Sequence, residues 1–419
     1  MTMSFHGNSV LPQELYDTIL DHLAFDVPTL KACGTVCESF IPRTRTHLFQ
    51  KATLTTETAI LPGFIQCIAP YVQAMTISSP DLYRLGQHDF PRLATLHLNQ
   101  QWFKQTCTDT VLSASVLRQI HTLSLTDVHF ESMPHLVNFI ASFSRLEALV
   151  ISCVDCASSS SAPLPPAPAT LKSLESPTTS ESTPGTIPAL LEWIARSHSE
   201  PGAGLEKLHV EWIDDIRDVK AIGQYLLGSP AQQLKELEVS FHPYGRLECN
   251  ASDLPQYWLP MSATQVRLPN LARFTFTDLV IGSSAEATDV GNDFLPLAIR
   301  RLRDAVQSSP SSPSSSYIAP PLEITLNLRI AGLSQLGRLQ SVELDWERLR
   351  GALEGESVKA KMVLSCDEEG ELGWVTKEGP AAGDGGELAA RDEWRGGVEA
   401  YFCARMGENA VQMVWDVEE

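Results

Sequence analysis

The feature that most constrains the fold is a short apolar pattern, LxxLxL, that recurs along most of the chain. With other aliphatic residues and Phe allowed, it begins at Val72, Leu93, Ile120, Leu146, Leu205, Leu234 and Leu271. The alternating end of the motif is typical of a β-strand with one buried face. About a third of all residues qualify for an apolar position, so chance would supply on the order of ten matches. The motif therefore needs independent support.

A stripe of apolar residues at helical spacing precedes four of the motifs and supplies that support. Leu136, Ile140 and Phe143, for example, lie on one helical face ahead of the alternating residues 149–151. The strands predicted in this way are 123–125, 149–151, 208–210 and 237–239. A strand backed by one helix cannot bury its own apolar face, so neighbouring units are expected to stack. The sequence therefore predicts an α/β fold made of helix–strand repeats.

The spacing of the motifs indicates where the repeats are interrupted. Successive motifs begin 21 to 37 residues apart, except for a gap of 59 residues between Leu146 and Leu205. The gap contains residues 157–186, which are rich in Ser and Pro and poor in apolar residues that could offset the entropy cost of ordering. We therefore predict a disordered insertion at 157–186, and a second one at 308–320.

The last part of the chain continues the alternation of helices and strands and is strongly acidic. Apolar periodicity predicts strands at 322–330, 358–365 and 411–415 and a weak helix at 384–406. Residues 341–419 are expected to form acidic helix–strand units that cap the array. Residues 343–419 contain 19 acidic and 8 basic side chains, and the whole chain has a net charge of −20. Such a charge disfavours nucleic acid as a ligand.

The motif and its spacing resemble those of leucine-rich repeats of an irregular kind. The resemblance covers residues 51–340 and implies a solenoid of strands and helices that binds proteins. Regular repeats place Asn or Cys three residues after the last Leu of the motif. This chain has other residues there, namely Gln101, Val128, Val154, Ile213, His242 and Leu279. The loops are therefore expected to use other hydrogen-bond partners.

The first fifty residues differ from the repeats and predict three short helices. Residues 11–15, Leu-Pro-Gln-Glu-Leu, are typical of a helix start, because proline is tolerated in the first turn. Ile19 and Leu23 then continue the apolar face. A second helix is predicted from Pro28, followed by a third that is broken only at Pro42. So small a unit cannot bury all of this apolar surface alone, which predicts that it packs against a partner.

These residues resemble an F-box. The resemblance covers roughly residues 1–50 and is carried by Leu11, Pro12, Glu14, Leu15, Ile19, Leu20, Leu23, Leu30, Cys33, Val36, Cys37 and Phe40. Phe40 stands where many family members have Trp. The resemblance implies that the unit docks on the Skp-type adaptor of cullin-RING ubiquitin ligases. The residues that would contact the adaptor are Leu11, Pro12, Glu14, Leu15, Ile19, Leu23, Val36 and Phe40.

No catalytic or cofactor-binding motif is present in the sequence. The patterns GxGxxG, GxxxxGK[ST], GxSxG and HExxH are all absent. His97, His121 and His209 lie in or beside predicted strands and could form a binding ladder, but outward polar positions of half-buried strands explain them more simply. We expect a chain that is not an enzyme and needs no cofactor.

Two groups of residues carry side chains that can bind a cation, a pair of cysteines and two acidic segments. Cys153 and Cys156 form a lone CxxC, and a structural zinc site would need a second ligand pair nearby. The acidic groups at 214–218 and 367–369 lack the alternating spacing and Gly of a calcium-binding loop. No metal site is therefore predicted from the sequence.

Cysteine usage and hydropathy bear on the compartment. The nine cysteines are odd in number and irregularly spaced, which is poor material for a disulfide framework. No signal peptide and no apolar run long enough to span a membrane is recognisable. We expect an intracellular protein, cytoplasmic or nuclear, that does not interact with a membrane.

Three functional hypotheses follow from these patterns, and the least favoured is an enzyme with a site between repeats. In the first, the chain is a substrate-recognition subunit of a cullin-RING ligase of the SCF type, as the F-box resemblance implies. It would bind the Skp-type adaptor and the cullin scaffold through the N-terminal unit, and an unknown protein substrate through the repeats. In the second, the chain is a non-catalytic repeat scaffold, and its N-terminal helices serve only as a cap.

Overall fold

The computed structural model describes fifteen parts of the chain. They are residues 11–55, 62–78, 88–103, 114–156, 163–178, 185–198, 202–213, 215–241, 258, 267–281, 294–307, 321–330, 346–353, 358–366 and 411–416. The chain forms two compact units, Met1–Glu147 with Cys156–Ser160 and Ala148–Asp155 with Ser161–Glu419. The domain boundaries expected near residues 50 and 340 stay predictions. The N-terminal helices share a compact unit with the first four strands.

Within its described residues, the first unit contains helices at its N-terminus and then alternating strands and helices. Its α-helices are α1 Gln13–His22, α2 Val27–Val36, α3 Ile41–Phe49, α4 Pro62–Ile68, α5 Ala114–Leu117 and α6 Met133–Ala141. Its strands are β1 Lys51–Thr55, β2 Ala74–Ser78, β3 Thr95–Phe103 and β4 Thr122–Phe130. A short 3-10 helix, Glu38–Phe40, joins α2 to α3. The α/β class predicted from the sequence is confirmed.

The second unit has the same alternation over its described residues. Its α-helices are α7 Thr186–Ser197, α8 Ile216–Leu227, α9 Leu295–Gln307 and α10 Trp346–Leu353. Its strands are β5 Ala148–Cys156, β6 Ser173–Thr178, β7 Lys207–Ile213, β8 Glu236–Phe241, β9 Arg273–Ile281, β10 Leu322–Ile330, β11 Val358–Cys366 and β12 Val411–Asp416. The strands predicted at 322–330, 358–365 and 411–415 are therefore confirmed, and the helix predicted at 384–406 lies outside the described residues.

Parallel pairing between consecutive strands organises each unit. In the first unit β1 pairs with β2, β2 with β3 and β3 with β4. In the second unit, each strand from β5 to β11 pairs in parallel with the strand that follows it in the chain. A parallel neighbour requires a crossover connection, which the intervening segments provide. Strand order that follows chain order is what stacked helix–strand repeats predict.

The apolar positions of the motif align in continuous buried rows. Met75, Leu96 and Leu123 occupy matching positions of β2, β3 and β4, and each is at most 1% exposed. In the second unit Leu208 and Leu237 align in the same way on β7 and β8. Because a strand alternates its side chains between two faces, the residues between them form a second, polar face. The motif thus marks the core side of every strand that carries it.

A repeated backbone hydrogen-bond pattern connects the starts of neighbouring strands. The carbonyl of Gln50 accepts hydrogen bonds from the amides of both Gln73 and Ala74, at 2.9 and 3.0 Å. The carbonyl of Gln73 then accepts from the next pair of amides, those of Ala94 and Thr95. The second unit repeats this pattern from Lys172, Glu206 and Lys235. These hydrogen bonds satisfy the backbone amides at the start of each strand, so no Asn side chain is needed there.

A second repeated feature lies two residues after the last apolar residue of the strand motif. Gln100, Asp127 and Cys153 adopt φ values of 55°, 53° and 53°, in the left-handed region that non-glycine residues seldom occupy. Each follows the third motif position by the same offset. The same unusual conformation at equivalent positions identifies these three segments as structural repeats, independently of their apolar pattern.

The predicted disordered insertion at 157–186 is wrong for a large part of its length. Residues 173–178 form β6, which pairs with both β5 and β7. Leu171 and Leu174 occupy the first two apolar positions and are at most 1% exposed, but the third position is Ser176. This serine is fully buried, so the repeat exists although its motif is incomplete. The segment predicted at 308–320 lies outside the described residues.

Substitutions within residues 163–178 test the assignment of β6. Leu174→Ala should lower the free energy of unfolding by about 2–5 kcal/mol, because it leaves a cavity in the core. Leu164→Ala, in the same Pro-rich stretch but only half-buried, should stay within about 1 kcal/mol of wild type. Urea unfolding followed by circular dichroism measures both. Equal and negligible effects of the two variants would contradict the assignment.

Candidate functional site

The first candidate site is the N-terminal helical region, residues 11–50. The amides of Leu15 and Tyr16 donate to the carbonyl of Pro12, which starts α1 where the sequence predicts it. Asp26 caps α2, because its side chain accepts a hydrogen bond from the amide of Thr29 at 3.1 Å. The sequence predicted that Pro42 would interrupt the third helix. Pro42 instead lies in the first turn of α3 and does not interrupt it. Three short helices are therefore confirmed.

A small core holds these helices together. Leu20 of α1, Leu30 of α2 and Thr44 of α3 are 2%, 0% and 1% exposed. A side chain at Gly34 would place its Cβ 3.3 Å from Thr44 Oγ1, so α2 and α3 approach closely there. The rings of Tyr16 and Phe40 lie 5.1 Å apart. The core therefore uses only part of the apolar surface that the helical region carries.

The remaining apolar surface faces solvent. Leu15 and Ile19 lie one turn apart on α1 and are 48% and 51% exposed, and Leu11, before the helix, is 39% exposed. Val36, at the end of α2, is 71% exposed. Contiguous exposed apolar surface is uncommon on monomers and marks interaction sites, and Leu15 and Ile19 are neighbours on α1. We refer to Leu11, Leu15, Ile19 and Val36 as the apolar patch.

The eight residues that the sequence nominated for adaptor contact differ in exposure. Leu11, Pro12, Glu14, Leu15, Ile19 and Val36 are exposed, whereas Leu23 and Phe40 are half-buried. The amide Nε2 of Gln13 donates to the carbonyl of Ser39 at 3.1 Å, which joins the start of α1 to the 3-10 helix that follows Val36. Phe40 contributes its ring to the contact with Tyr16. Its aromatic side chain therefore also has a role in holding the unit together.

Two exposed apolar residues were missed by the sequence analysis. Phe25, between α1 and α2, is 101% exposed, and Val27, the first residue of α2, is 45% exposed. Their sequence position could have revealed them. Phe25 and Val27 lie immediately before and after the capping residue Asp26, outside the apolar faces predicted for the two helices. They add to the exposed apolar surface of the helical region.

A charged cluster connects α1 to α3 and was also missed. Asp21 accepts hydrogen bonds from Arg43 Nε at 2.5 Å and Nη2 at 2.6 Å, and its carboxylate lies 2.7 Å from His47 Nε2. The hydrogen bond from Arg43 is the main reason that the pKa of Asp21 falls from 3.8 to about 2. More than twenty residues separate the partners, so no local pattern reveals the cluster.

The polar face of the strands in the second unit is the second candidate surface. Lys207, Glu236, Arg273, Glu323 and Lys359 align across β7 to β11 and alternate in charge. Arg273 forms an ion pair with Glu236, and Lys207 Nζ lies 3.0 Å from Glu175 Oε1. Such a surface can recognise a partner through charge and hydrogen bonding.

The histidine ladder considered from the sequence does not form in the described structure. His97 aligns with Thr76 and Ser124 on the neighbouring strands, and His209 belongs to the second unit. His121 lies before β4, where its Nδ1 is 3.3 Å from Glu147 Oε1. These histidines therefore occupy separate environments.

The acidic and cysteine groups have structural explanations where they are described. Asp215 caps α8, because its side chain accepts a hydrogen bond from the amide of Arg217 at 2.8 Å. Asp218 is buried in the first turn of the same helix. Cys153 and Cys156 are half-buried, and Cys153 Sγ lies 3.5 Å from Ser152 Oγ. The acidic run at 367–369 lies outside the described residues.

Comparison with known proteins does not identify the chain. No protein-family model matches the sequence, and no curated protein matches it significantly. Among the described helices, none combines the length and apolar character needed to cross a membrane. The physical properties of the two candidate surfaces therefore carry the functional argument.

The charged cluster predicts a pH dependence for the stability of the helical region. The pKa of Asp21 is lowered in the folded state, so its stabilising contribution is complete well above pH 3.8 and is lost as the pH falls towards 2. Asp21→Asn should therefore destabilise the protein at pH 7, by about 1 kcal/mol or less because the pair is partly exposed. The difference from wild type should shrink at pH 3.

Urea unfolding at pH 7, 5 and 3 measures this dependence. Glu38→Gln, which removes an exposed carboxylate from the same region, serves as the control and should show no comparable trend. A difference between Asp21→Asn and wild type that is constant over this pH range would show that the charge of Asp21 does not stabilise the fold.

Proposed function

We propose that this protein is a substrate-recognition subunit of a cullin-RING ubiquitin ligase of the SCF type. In this proposal the N-terminal helical region docks on the Skp-type adaptor, which links the chain to the cullin scaffold. The chain performs no bond chemistry and acts by positioning a protein substrate. The observation that carries the proposal is the exposure of Leu15 and Ile19 in a unit that buries Leu20 and Leu30.

The exposed side chains can supply a substantial part of the docking energy. Complete burial of a Leu, Ile or Val side chain contributes about 1.5–3 kcal/mol. Leu15, Ile19 and Val36 each have about half or more of their surface available, so a partner groove could gain several kcal/mol from them. Because their burial is not needed by the fold of the helical region, this energy remains available for association.

The Leu-Pro-x-Glu-Leu segment supports the same assignment. Pro12 and Glu14 are exposed beside Leu11 and Leu15 at the start of α1. The resemblance to an F-box would thus assign to the adaptor those side chains that the fold leaves accessible. Phe40 is the departure from the usual Trp, and its half-buried ring offers less surface to a partner than the exposed aliphatic residues do.

The substrate would bind the polar strand face of the repeats. In the second unit this face carries rows of charged side chains on parallel strands whose apolar sides are buried. Side chains held on paired strands present a rigid pattern, which favours selective recognition. A protein substrate with complementary charges is therefore the ligand class that this face suits.

The alternative, in which the helices only cap the repeats, is favoured by the direct connection of α3 to β1. Helix α3 ends at Phe49 and β1 begins at Lys51. The residue between them, Gln50, accepts hydrogen bonds from the amides of Gln73 and Ala74 through its carbonyl. Removing the helices would therefore disturb the edge of the first unit under either hypothesis, so truncation alone is a poor test.

Point substitutions in the apolar patch separate the two hypotheses. The double variant Leu15→Asp/Ile19→Asp should bind a purified Skp-type adaptor at least about tenfold more weakly than wild type, because carboxylates would replace side chains that the adaptor buries. Biolayer interferometry with the full chain measures the affinity. Leu227→Asp, at a leucine of α8 that is 42% exposed, is the matched control and should bind as wild type does.

Thermal unfolding shows whether the double variant remains folded. We expect that it does, because both substituted positions are exposed to solvent. The proposal fails if the wild-type chain does not bind the adaptor. It also fails if the double variant binds as tightly as Leu227→Asp does. A cap without a partner predicts the first of these results, with the melting temperature unaffected by the presence of the adaptor.

A further inference from the structure

Three metal-ligating side chains converge on the polar face of β7 and β8. His209 and Glu211 are two residues apart on β7, so they point to the same side of the strand. Glu238 on β8 lies directly opposite His209 in the parallel register. None of the three is part of the patch proposed to bind the adaptor. Their grouping arises from strand pairing and is not visible in the order of residues along the chain.

The ligand atoms are close enough to share one ion. His209 Nε2 lies 2.5 Å from Glu211 Oε1 and 3.9 Å from Glu238 Oε1. The ligand atoms of all three residues lie within 4.8 Å of one another. In a tetrahedral zinc site with bonds of about 2.0–2.1 Å, neighbouring ligand atoms are about 3.3 Å apart. The two observed distances lie on either side of this value, so small side-chain rotations would produce the coordination geometry.

The backbone beneath the cluster is well supported. His209 of β7 is paired on both sides, with β6 and β8, and Glu238 of β8 is paired with β7 and β9, while the register between β7 and β8 shifts between Val210 and Ile213, around Glu211. The alternate residues Leu208, Val210 and Val239 are fully buried on the opposite face. His209 and Glu238 therefore keep their relative positions, which reduces the cost of assembling a metal site.

The charges around the cluster favour an added cation. Lys207, two residues before His209, forms an ion pair with Glu175 at 3.0 Å, which offsets its charge. Burial raises the pKa of Glu238, and the carboxylates of Glu211 and Glu175 raise it further, while His209 and Lys207 oppose the shift. Two carboxylates beside one histidine therefore carry negative charge that a divalent cation would neutralise.

The surroundings of His209 act on its pKa in opposite directions. Burial disfavours the imidazolium, but the hydrogen bond with Glu211 and the charges of Glu238 and Glu211 outweigh it, so the pKa of His209 is raised. Metal binding requires the neutral imidazole and would replace the contact between His209 Nε2 and Glu211 Oε1.

We propose that His209, Glu211 and Glu238 bind a divalent cation of the zinc class. One imidazole and two carboxylates form a ligand set that zinc accepts, and three protein ligands leave a fourth position for water or a bound group. The side chains are only 14%, 24% and 27% exposed, which limits competition from solvent. The ion would bind on the polar face of β7 and β8, and its binding is independent of adaptor docking.

Zinc binding by the full chain tests the proposal. Wild-type protein should take one equivalent of Zn²⁺ from a chromophoric chelator, and Glu238→Gln and His209→Ala should bind that equivalent at least about tenfold more weakly. Glu236→Gln is the matched control. It changes a glutamate on the same face of the same strand that pairs with Arg273, and it should retain wild-type affinity.

Cysteine thiols can also bind zinc, so a second measurement identifies the ligands. Co²⁺ bound by histidine and carboxylates gives weak visible absorption, whereas thiolate ligands add intense near-ultraviolet bands. The bands lost in Glu238→Gln should be of the first type. Zn²⁺ should also raise the melting temperature of wild type but not that of Glu238→Gln, a conservative change expected to fold.

Three results would overturn the proposal. They are equal zinc affinity in wild type and Glu238→Gln, no zinc-dependent rise in the melting temperature of wild type, and Co²⁺ spectra with thiolate bands alone. The variant Leu15→Asp/Ile19→Asp should bind zinc as wild type does. Failure of the metal site and failure of adaptor docking are therefore separately observable.

Discussion

The parallel pairing of each strand with the next one in the chain is the constraint on which both units depend. A strand backed by one helix has too little apolar surface to close a core, so it is stable only when its neighbours bury the rest. The aligned leucines and the hydrogen-bonded amides at the start of each strand both stabilise this pairing. The first removes apolar surface from water, and the second satisfies the backbone where the chain changes direction.

The same constraint explains which parts of the fold could be predicted from the sequence. Strands with three apolar motif positions were predicted correctly, because burial of one face requires that alternation. Strand β6 was missed because Ser176 occupies the third position, although its neighbours Leu171 and Leu174 are buried. Composition then suggested disorder. A repeat can tolerate one polar position when the strands on both sides hold its backbone in register.

Prediction of the candidate sites was limited in a similar way. The exposed face of α1 could be predicted, since helical spacing placed Leu15 and Ile19 together and the unit was too small to bury them. Contacts between distant segments could not, because they depend on the packing of helices or on strand register. Asp21 meets Arg43 only after α1 and α3 pack, and His209 meets Glu238 only through the pairing of β7 with β8.

The two surfaces differ in the physics that a partner must match. The apolar patch offers aliphatic side chains whose burial depends little on salt, whereas the strand face of the second unit offers charges that ions screen. On that face Arg273 is paired with Glu236 and Lys207 with Glu175, so a charged partner must compete with these pairs or extend them. At Glu238, where burial raises the pKa of the carboxylate, an added positive charge would instead favour the ionised form.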